Sequence, residues 1–308
     1  VGLLSHAPVL KTAETRNNGK VEIRFSALGG KISDVETTKY RVTTKKDDPF
    51  MSVVSSEEPQ KLAALFSHPE LNSFSYGEYQ IKSSLDKVQF FRTQNGVSVT
   101  KEYVIHPDSY VVDSTIKISV KPGQRDWGQL MIPVGAKSPA YDSNTPLKSW
   151  EVVYQQNEEI HRVHTDKIEE VEKVVQGTTQ WLSYGNRYFA AAILNESEIN
   201  PDVVLSRQES FVGGYLRYPL LFKEGQNELT LKVKYYLGAK DYAALSALDG
   251  MKGLIDYGFF KSLAYPLLGV LRFFYSFVHN YGVAIILLTI LVRVLFYPLS
   301  VKSMRSMK

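Results

Sequence analysis

The chain contains no cysteine. It therefore forms no disulfide and builds no cysteine-ligated zinc site, and the compartment stays open on that ground. It also lacks a Gly-x-Gly-x-x-Gly phosphate loop, a Gly-x-Ser-x-Gly elbow and a His-Glu-x-x-His helix. No basic stripe runs along it: 36 basic residues face 32 acidic ones, a net charge of +4. Nucleic acid is not an expected partner. Val1 is followed by neither a basic segment nor an apolar core of the kind that directs export. Long apolar runs are missing before Phe259.

What is plentiful is aromatic and alternating. The 19 tyrosines and 15 phenylalanines suit a β-rich domain. Residues 1–20 are polar and read as a linker. From Val21 the apolar residues Val21, Ile23, Phe25 and Ala27 alternate with Glu22, Arg24 and Ser26, the period of a half-buried strand. Gly29-Gly30 turns the chain into a partner strand over 31–40. Gln94-Asn95-Gly96 between two alternating runs is a strong hairpin signal. Further strands are expected at 50–54, 76–81, 110–120, 127–134, 150–155 and 159–164, and at 181–184 with 187–194 across Gly185-Asn186. Runs at 203–211 and 215–221 read as strands around a Gly-Gly turn, 228–237 as the last strand, and 240–248 as a short helix. Segment 167–175 is ambiguous between helix and strand, and 135–146 is a loop. One antiparallel sandwich or barrel over 21–256 follows, with turns every 8–12 residues or so.

The character changes at Phe259. Pro266 to Val278 predicts a helix with Pro266 in its first turn, carrying Gly269, Arg272, Ser276 and His279 on a narrow face. Region 259–280 is expected to lie in a membrane interface; the competing reading is an amphipathic core helix. Residues 282–301 then predict a transmembrane helix, since a span needs about 20 mostly apolar residues. Arg293 follows Gly282 by 11 positions, roughly 16 Å along the axis and close to mid-membrane. A central arginine costs about 3 kcal/mol, offset by roughly 0.3–0.6 for each Leu, Ile, Val or Phe. Thr289, Arg293, Tyr297 and Ser300 share one face at spacings of four, four and three. An ionisable residue at that depth is a functional-site candidate. Snorkelling to an interface and a buried soluble helix are the competing readings. Lys302, Arg305 and Lys308 in 302–308 place that end in the cytoplasm and the β-domain outside. A large external domain needs an export signal or an earlier helix, so a longer protein is expected.

Rival chemistry finds little support. His161 and His164 fall on opposite sides of a strand among charged residues, and His6, His68 and His106 stand apart. Glu158-Glu159 and Glu169-Glu170 read as exposed charge. No catalytic residue, metal or cofactor is expected.

Asp256-Tyr257-Gly258, Pro266-Leu267, the run Ser276 to Gly282, Thr289 to Arg293, and Tyr297-Pro298-Leu299 together resemble the start of the conserved core of the bacterial YidC membrane protein insertases, in the YidC/Oxa/Alb family. Leu28-Gly29-Gly30, Trp181 and Tyr188-Phe189-Ala190 resemble landmarks of that family's large periplasmic domain. The resemblance implies a galactose-mutarotase-like β-supersandwich in the periplasm, an amphipathic helix and a transmembrane helix of the bacterial inner membrane. It implies a bundle of five helices around a hydrophilic groove, with Arg293 as the groove arginine and Thr289 lining it one turn earlier; Tyr297 extends the same face. The implied partners are nascent inner-membrane proteins, the Sec translocon with its accessory subunits, the lipid bilayer, and the ribosome through cytoplasmic parts beyond these residues. The alternative from the sandwich is a membrane-tethered carbohydrate-binding or mutarotase-like domain.

Overall fold

The computed structural model describes residues 12–43, 45–55, 61–136, 150–169, 172–208, 211–256 and 261–306. The chain divides into two units, Val1–Leu254 and Ile255–Lys308. In the first, β1 (Thr12–Asn17), β2 (Val21–Ser26), β3 (Lys31–Arg41) and β4 (Phe50–Val54) form a four-stranded sheet in chain order. Next come β5 (Leu65–Phe66), helix α1 (Pro69–Tyr76), β6 (Gln80–Ser83), β7 (Lys87–Gln94), β8 (Val97–Ile105), β9 (Val111–Ser119) and β10 (Asp126–Ala136). They are followed by β11 (Glu151–Gln156), β12 (Glu159–His164), β13 (Lys173–Val175), β14 (Thr179–Gly185) and β15 (Phe189–Asn195). β16 (Asp202–Gln208), β17 (Phe211–Leu221) and β18 (Glu228–Ala239) complete the strands, and the short α2 (Tyr242–Ser246) follows.

A nine-stranded sheet has the order β12-β11-β14-β15-β18-β9-β8-β7-β6, and a five-stranded sheet the order β13-β16-β17-β10-β5. Every strand pairing is antiparallel. Strands β11, β14 and β15 pack against the five-stranded sheet, and β15 and β18 against the four-stranded one. This is the antiparallel supersandwich expected for the chain.

Local chemistry explains the turns. β7 and β8 are joined by Asn95 and Gly96 at φ 52° and 77°, the positive pair of a type I′ hairpin whose twist matches its strands. Gly29 and Gly30 also take positive φ, 76° and 52°. A Cβ on Gly30 would lie 2.9 Å from the Phe90 Cβ and 3.1 Å from the Tyr79 ring, so the turn presses against the core. Burial alternates without a break along β8, as period two demands. Trp127, Trp181, Tyr103, Tyr218 and Tyr235 are among the fully buried side chains.

Several expectations are corrected. The linker over 1–20 is strand β1 across Thr12–Asn17, antiparallel to β2; residues 1–11 lie outside the described residues. Its sequence, TAETRN, carries no apolar alternation because it lies at the edge of its sheet. The segment before β6 is helix α1, with Pro69 at its first turn and the His68 side chain accepting the Glu70 N–H. Gly213 and Gly214 make no turn: β17 runs through them. A Cβ on Gly213 would sit 2.3 Å from the Val134 carbonyl oxygen, so the glycine allows close strand approach. Segment 167–175 resolves into a 3-10 turn at Thr165–Lys167 and strand β13, with 170–171 outside the described residues. Most of loop 135–146 also lies outside them.

Among the described residues of this unit Lys31, Lys61 and Lys101 are buried. Lys101 of β8 is fully buried; its Nζ donates to the Gly29 carbonyl and lies 4.7 Å from the Tyr79 ring centroid. Burial first, and the charge of Lys31 second, push its pKa down to about 7. Burial likewise lowers Lys31 to about 8, against the opposing pull of Asp34.

In the second unit, α3 (Lys261–Val278) and α4 (Tyr281–Ser306) are the helices. α3 starts five residues before the expected Pro266, which is therefore inside the helix. Proline there removes the bond to the Ser262 carbonyl, a loss best borne near a helix start.

Candidate functional site

The connection from α3 to α4 takes two residues. His279 takes φ 51°, and its N–H closes α3 on the Tyr275 carbonyl at 2.8 Å. Asn280 then caps α4: its Oδ1 accepts from Gly282 N at 2.8 Å and from Val283 N at 3.4 Å. The cap satisfies amides that the first turn leaves without helical partners. Tyr275 stacks on Tyr281 across the junction, centroids 4.0 Å apart at 13°. α3 and α4 pack on one another.

Over Val283–Tyr297, α4 is apolar apart from Thr289, Arg293 and Tyr297. Its less exposed positions, Ala284, Leu287, Leu288 and Val292, recur at helical spacing, while Ile285, Ile286, Ile290, Val294, Leu295 and Phe296 are exposed. A helix of that kind is made for a core or a lipid environment. Among the described residues no helix is long and apolar enough to cross a membrane. The described side chains of α4 end at Tyr297, so the last part of the expected 282–301 span, Ser300 of the polar face, and the cluster Lys302, Arg305 and Lys308 lie outside them.

The structure brings Thr289, Arg293 and Tyr297 together on one exposed stripe. Arg293 lies nine positions beyond the buried Ala284, half a turn around the axis, so the stripe is opposite that position. The Thr289 hydroxyl donates to the Ile285 carbonyl at 2.8 Å, which satisfies it inside the helix. Arg293 makes no ion pair among the described residues. Tyr297 is 69% exposed. The stripe presents a cation, a hydroxyl and a phenol on an otherwise hydrocarbon surface. It can hold water or an acidic group, and it contains no nucleophile–base pair.

Three of the histidines read in the sequence have structural settings, and His6 lies outside the described residues. His161 stacks on Tyr154 at 5.0 Å, His68 caps α1 and lies 4.8 Å from the Trp127 ring, and His106 contacts Asp113 at 2.8 Å. Among the described residues no group of three or more side chains is arranged to hold a metal ion. Sequence reasoning missed a cleft of about 620 Å³ in the first unit, where Lys39, Tyr40 and Arg41 meet Arg187, Tyr188 and Lys240. Its walls come from three distant segments, and no local pattern announces their meeting.

A β-supersandwich unit followed by a helix that is apolar over Val283–Phe296 except at Thr289 and Arg293 has the make-up of a membrane-associated class. Residues 15–270 match the family described as the YidC periplasmic domain, and residues 273–308 the family described as 60Kd inner membrane protein. The chain belongs to the YidC family. It is 30% identical over 307 residues to the membrane protein insertase YidC of Syntrophus aciditrophicus, covering 92% of this chain and 55% of that one. It is 28% identical over 301 residues to that of Syntrophobacter fumaroxidans, covering 92% and 54%. The chain thus spans about half the length of the curated relatives it matches. Among solved structures, YidC from Thermotoga maritima is 13% identical with a TM-score of 0.42, covering 96% of this chain and 72% of that one. A galactose mutarotase related enzyme from Lactobacillus acidophilus is 8% identical with a TM-score of 0.49, covering 73% and 96%.

Proposed function

We propose that the protein aids insertion and folding of inner-membrane proteins, alone or with the Sec translocon. The first unit lies in the periplasm, α3 rests in the outer interface, and residues 282–301 cross the membrane. Thr289, Arg293 and Tyr297 line a hydrophilic groove completed by further helices. The observation that carries the reading is the exposed stripe centred on Arg293, on an apolar helix within a segment matching an inner-membrane protein family.

The physical task fits the stripe. A nascent membrane protein must move polar side chains through an apolar slab. A cation in a water-filled recess shortens the apolar path and attracts acidic side chains, because charges interact more strongly where the dielectric is low. No bond is made or broken. Nascent inner-membrane proteins and the lipid bilayer are the direct partners; the Sec translocon and its accessory subunits, and the ribosome through cytoplasmic segments, are the further ones.

The test is an insertion assay in cells depleted of their native insertase and supplied with the full-length protein. Arg293→Ala lowers insertion of clients with acidic translocated segments by roughly tenfold, with protein levels unchanged. Arg293→Lys keeps the charge without the guanidinium fork and restores most of the activity. Unchanged insertion by the alanine variant overturns the role of Arg293.

A further inference from the structure

We propose that the cleft bounded by Lys39, Arg41, Arg187 and Tyr188 binds an extended acidic peptide segment. The proposal concerns the first unit and stands without the groove reading.

The cleft is built before any ligand arrives. Arg187 and Tyr188 sit on the turn between β14 and β15. The Asn186 Oδ1 holds that turn by accepting from Tyr188 N at 2.8 Å and Phe189 N at 2.9 Å. The Lys240 N–H donates to the Tyr188 carbonyl at 2.7 Å, tying the turn to the end of β18. Across the cleft, Tyr40 meets Phe189 edge-on, centroids 5.6 Å apart. The Arg41 guanidinium lies 4.3 Å from the Phe50 ring centroid, which keeps its planar fork in place. Tyr188 is 66% exposed, a large aromatic surface left beside the cations.

The charge is one-sided. Among the described residues Lys39, Arg41 and Arg187 make no ion pair. Lys240 is offset by Glu151 at 3.2 Å. The carboxylate in the lining, Asp241, is engaged as the cap of α2, accepting the Ala244 N–H at 2.9 Å. Among the described residues the cleft therefore offers three cations with no carboxylate partner, Arg41 also donating to the Asp48 carbonyl, beside exposed tyrosine, a pairing of Arg and Tyr enriched in protein-binding hot spots.

Spacing selects the ligand. Lys39 and Arg41 are alternate residues of β3, both in the lining of the cleft, about 7 Å apart along the strand. An extended peptide repeats its side chains on one face at the same interval, so carboxylates at alternate positions meet both cations. A compact phosphate fits less well. Its usual donors are free backbone amides at a helix start, and here Asp241 occupies that place with a negative charge.

The experiment uses the full chain in detergent micelles and a fluorescent, end-capped peptide alternating glutamate with serine. Anisotropy shows saturable binding that weakens with salt, and the lysine-for-glutamate peptide does not bind. Arg41→Glu with Arg187→Glu weakens binding by roughly tenfold or more, with tryptophan emission unchanged. Lys39→Glu does the same if the double variant fails to fold. Short-chain phosphatidylglycerol and inorganic phosphate are the competing arms. Absence of peptide binding, equal binding by the reversed-charge variants, or variant-sensitive binding of the lipid headgroup or phosphate in place of the peptide overturns the proposal.

Discussion

Lys101 places an ammonium-bearing chain among Phe66, Tyr79 and the Gly29 carbonyl. Burial disfavours the charged form, so the folded pKa, about 7, lies below the ordinary lysine value of 10.5. Between those values the unfolded chain binds more protons than the folded one, so stability rises with pH. Below about pH 7 both states are protonated and this contribution is flat. Lys31, lowered to about 8, adds in the same direction. Stability of the first unit is expected to rise from pH 7 to pH 9, by on the order of 2 kcal/mol for Lys101. Lys101→Met removes most of that slope. Denaturation in urea followed by tryptophan emission measures it, since Trp127, Trp150 and Trp181 all belong to this unit. An unchanged slope in the variant refutes the assignment to Lys101.

At the scale of elements, the turn Gly29-Gly30 joins β2 to β3 and supplies both the carbonyl that Lys101 uses and the one that Tyr103 reaches at 3.1 Å. Gly30→Ala puts a Cβ at positive φ and 2.9 Å from the Phe90 Cβ. It is expected to destabilise the unit by about 1–3 kcal/mol, read as a lower urea midpoint. Such elements were legible in the sequence because one local cause set them: Asn95-Gly96 demanded its hairpin, and the alternation of β8 and β9 demanded strands. β1 was illegible because a polar edge strand buries no periodic face. β17 was misread because Gly213-Gly214 signals a turn in sequence, while here the glycines open room for a neighbouring strand. In the same way the stripe Thr289, Arg293 and Tyr297 was legible, lying on one helix with a four-residue period. The basic cleft was not, because only tertiary pairing joins 39–41 to 187–189 and 240.

Over the whole molecule, the first unit is built of packed antiparallel sheets and the second of a packed helical pair. The nine-stranded sheet has one further consequence. Its central strand, β18, pairs with β9 on one side and β15 on the other, yet it is the last strand among the described residues. A chain delivered from its amino end exposes the unpaired edges of β9 and β15 until residue 239 has arrived, and open edges invite wrong partners. The sheet therefore closes like an arch whose keystone is set last. Chains ending at residue 227 are expected to be cleaved rapidly by trypsin, while chains reaching 254 resist it. Equal resistance in the two would show that the half-sheets on either side of β18 fold without it. Until β18 arrives the unit depends on whatever shields those edges, so its folding is timed by the end of its own delivery rather than by its start.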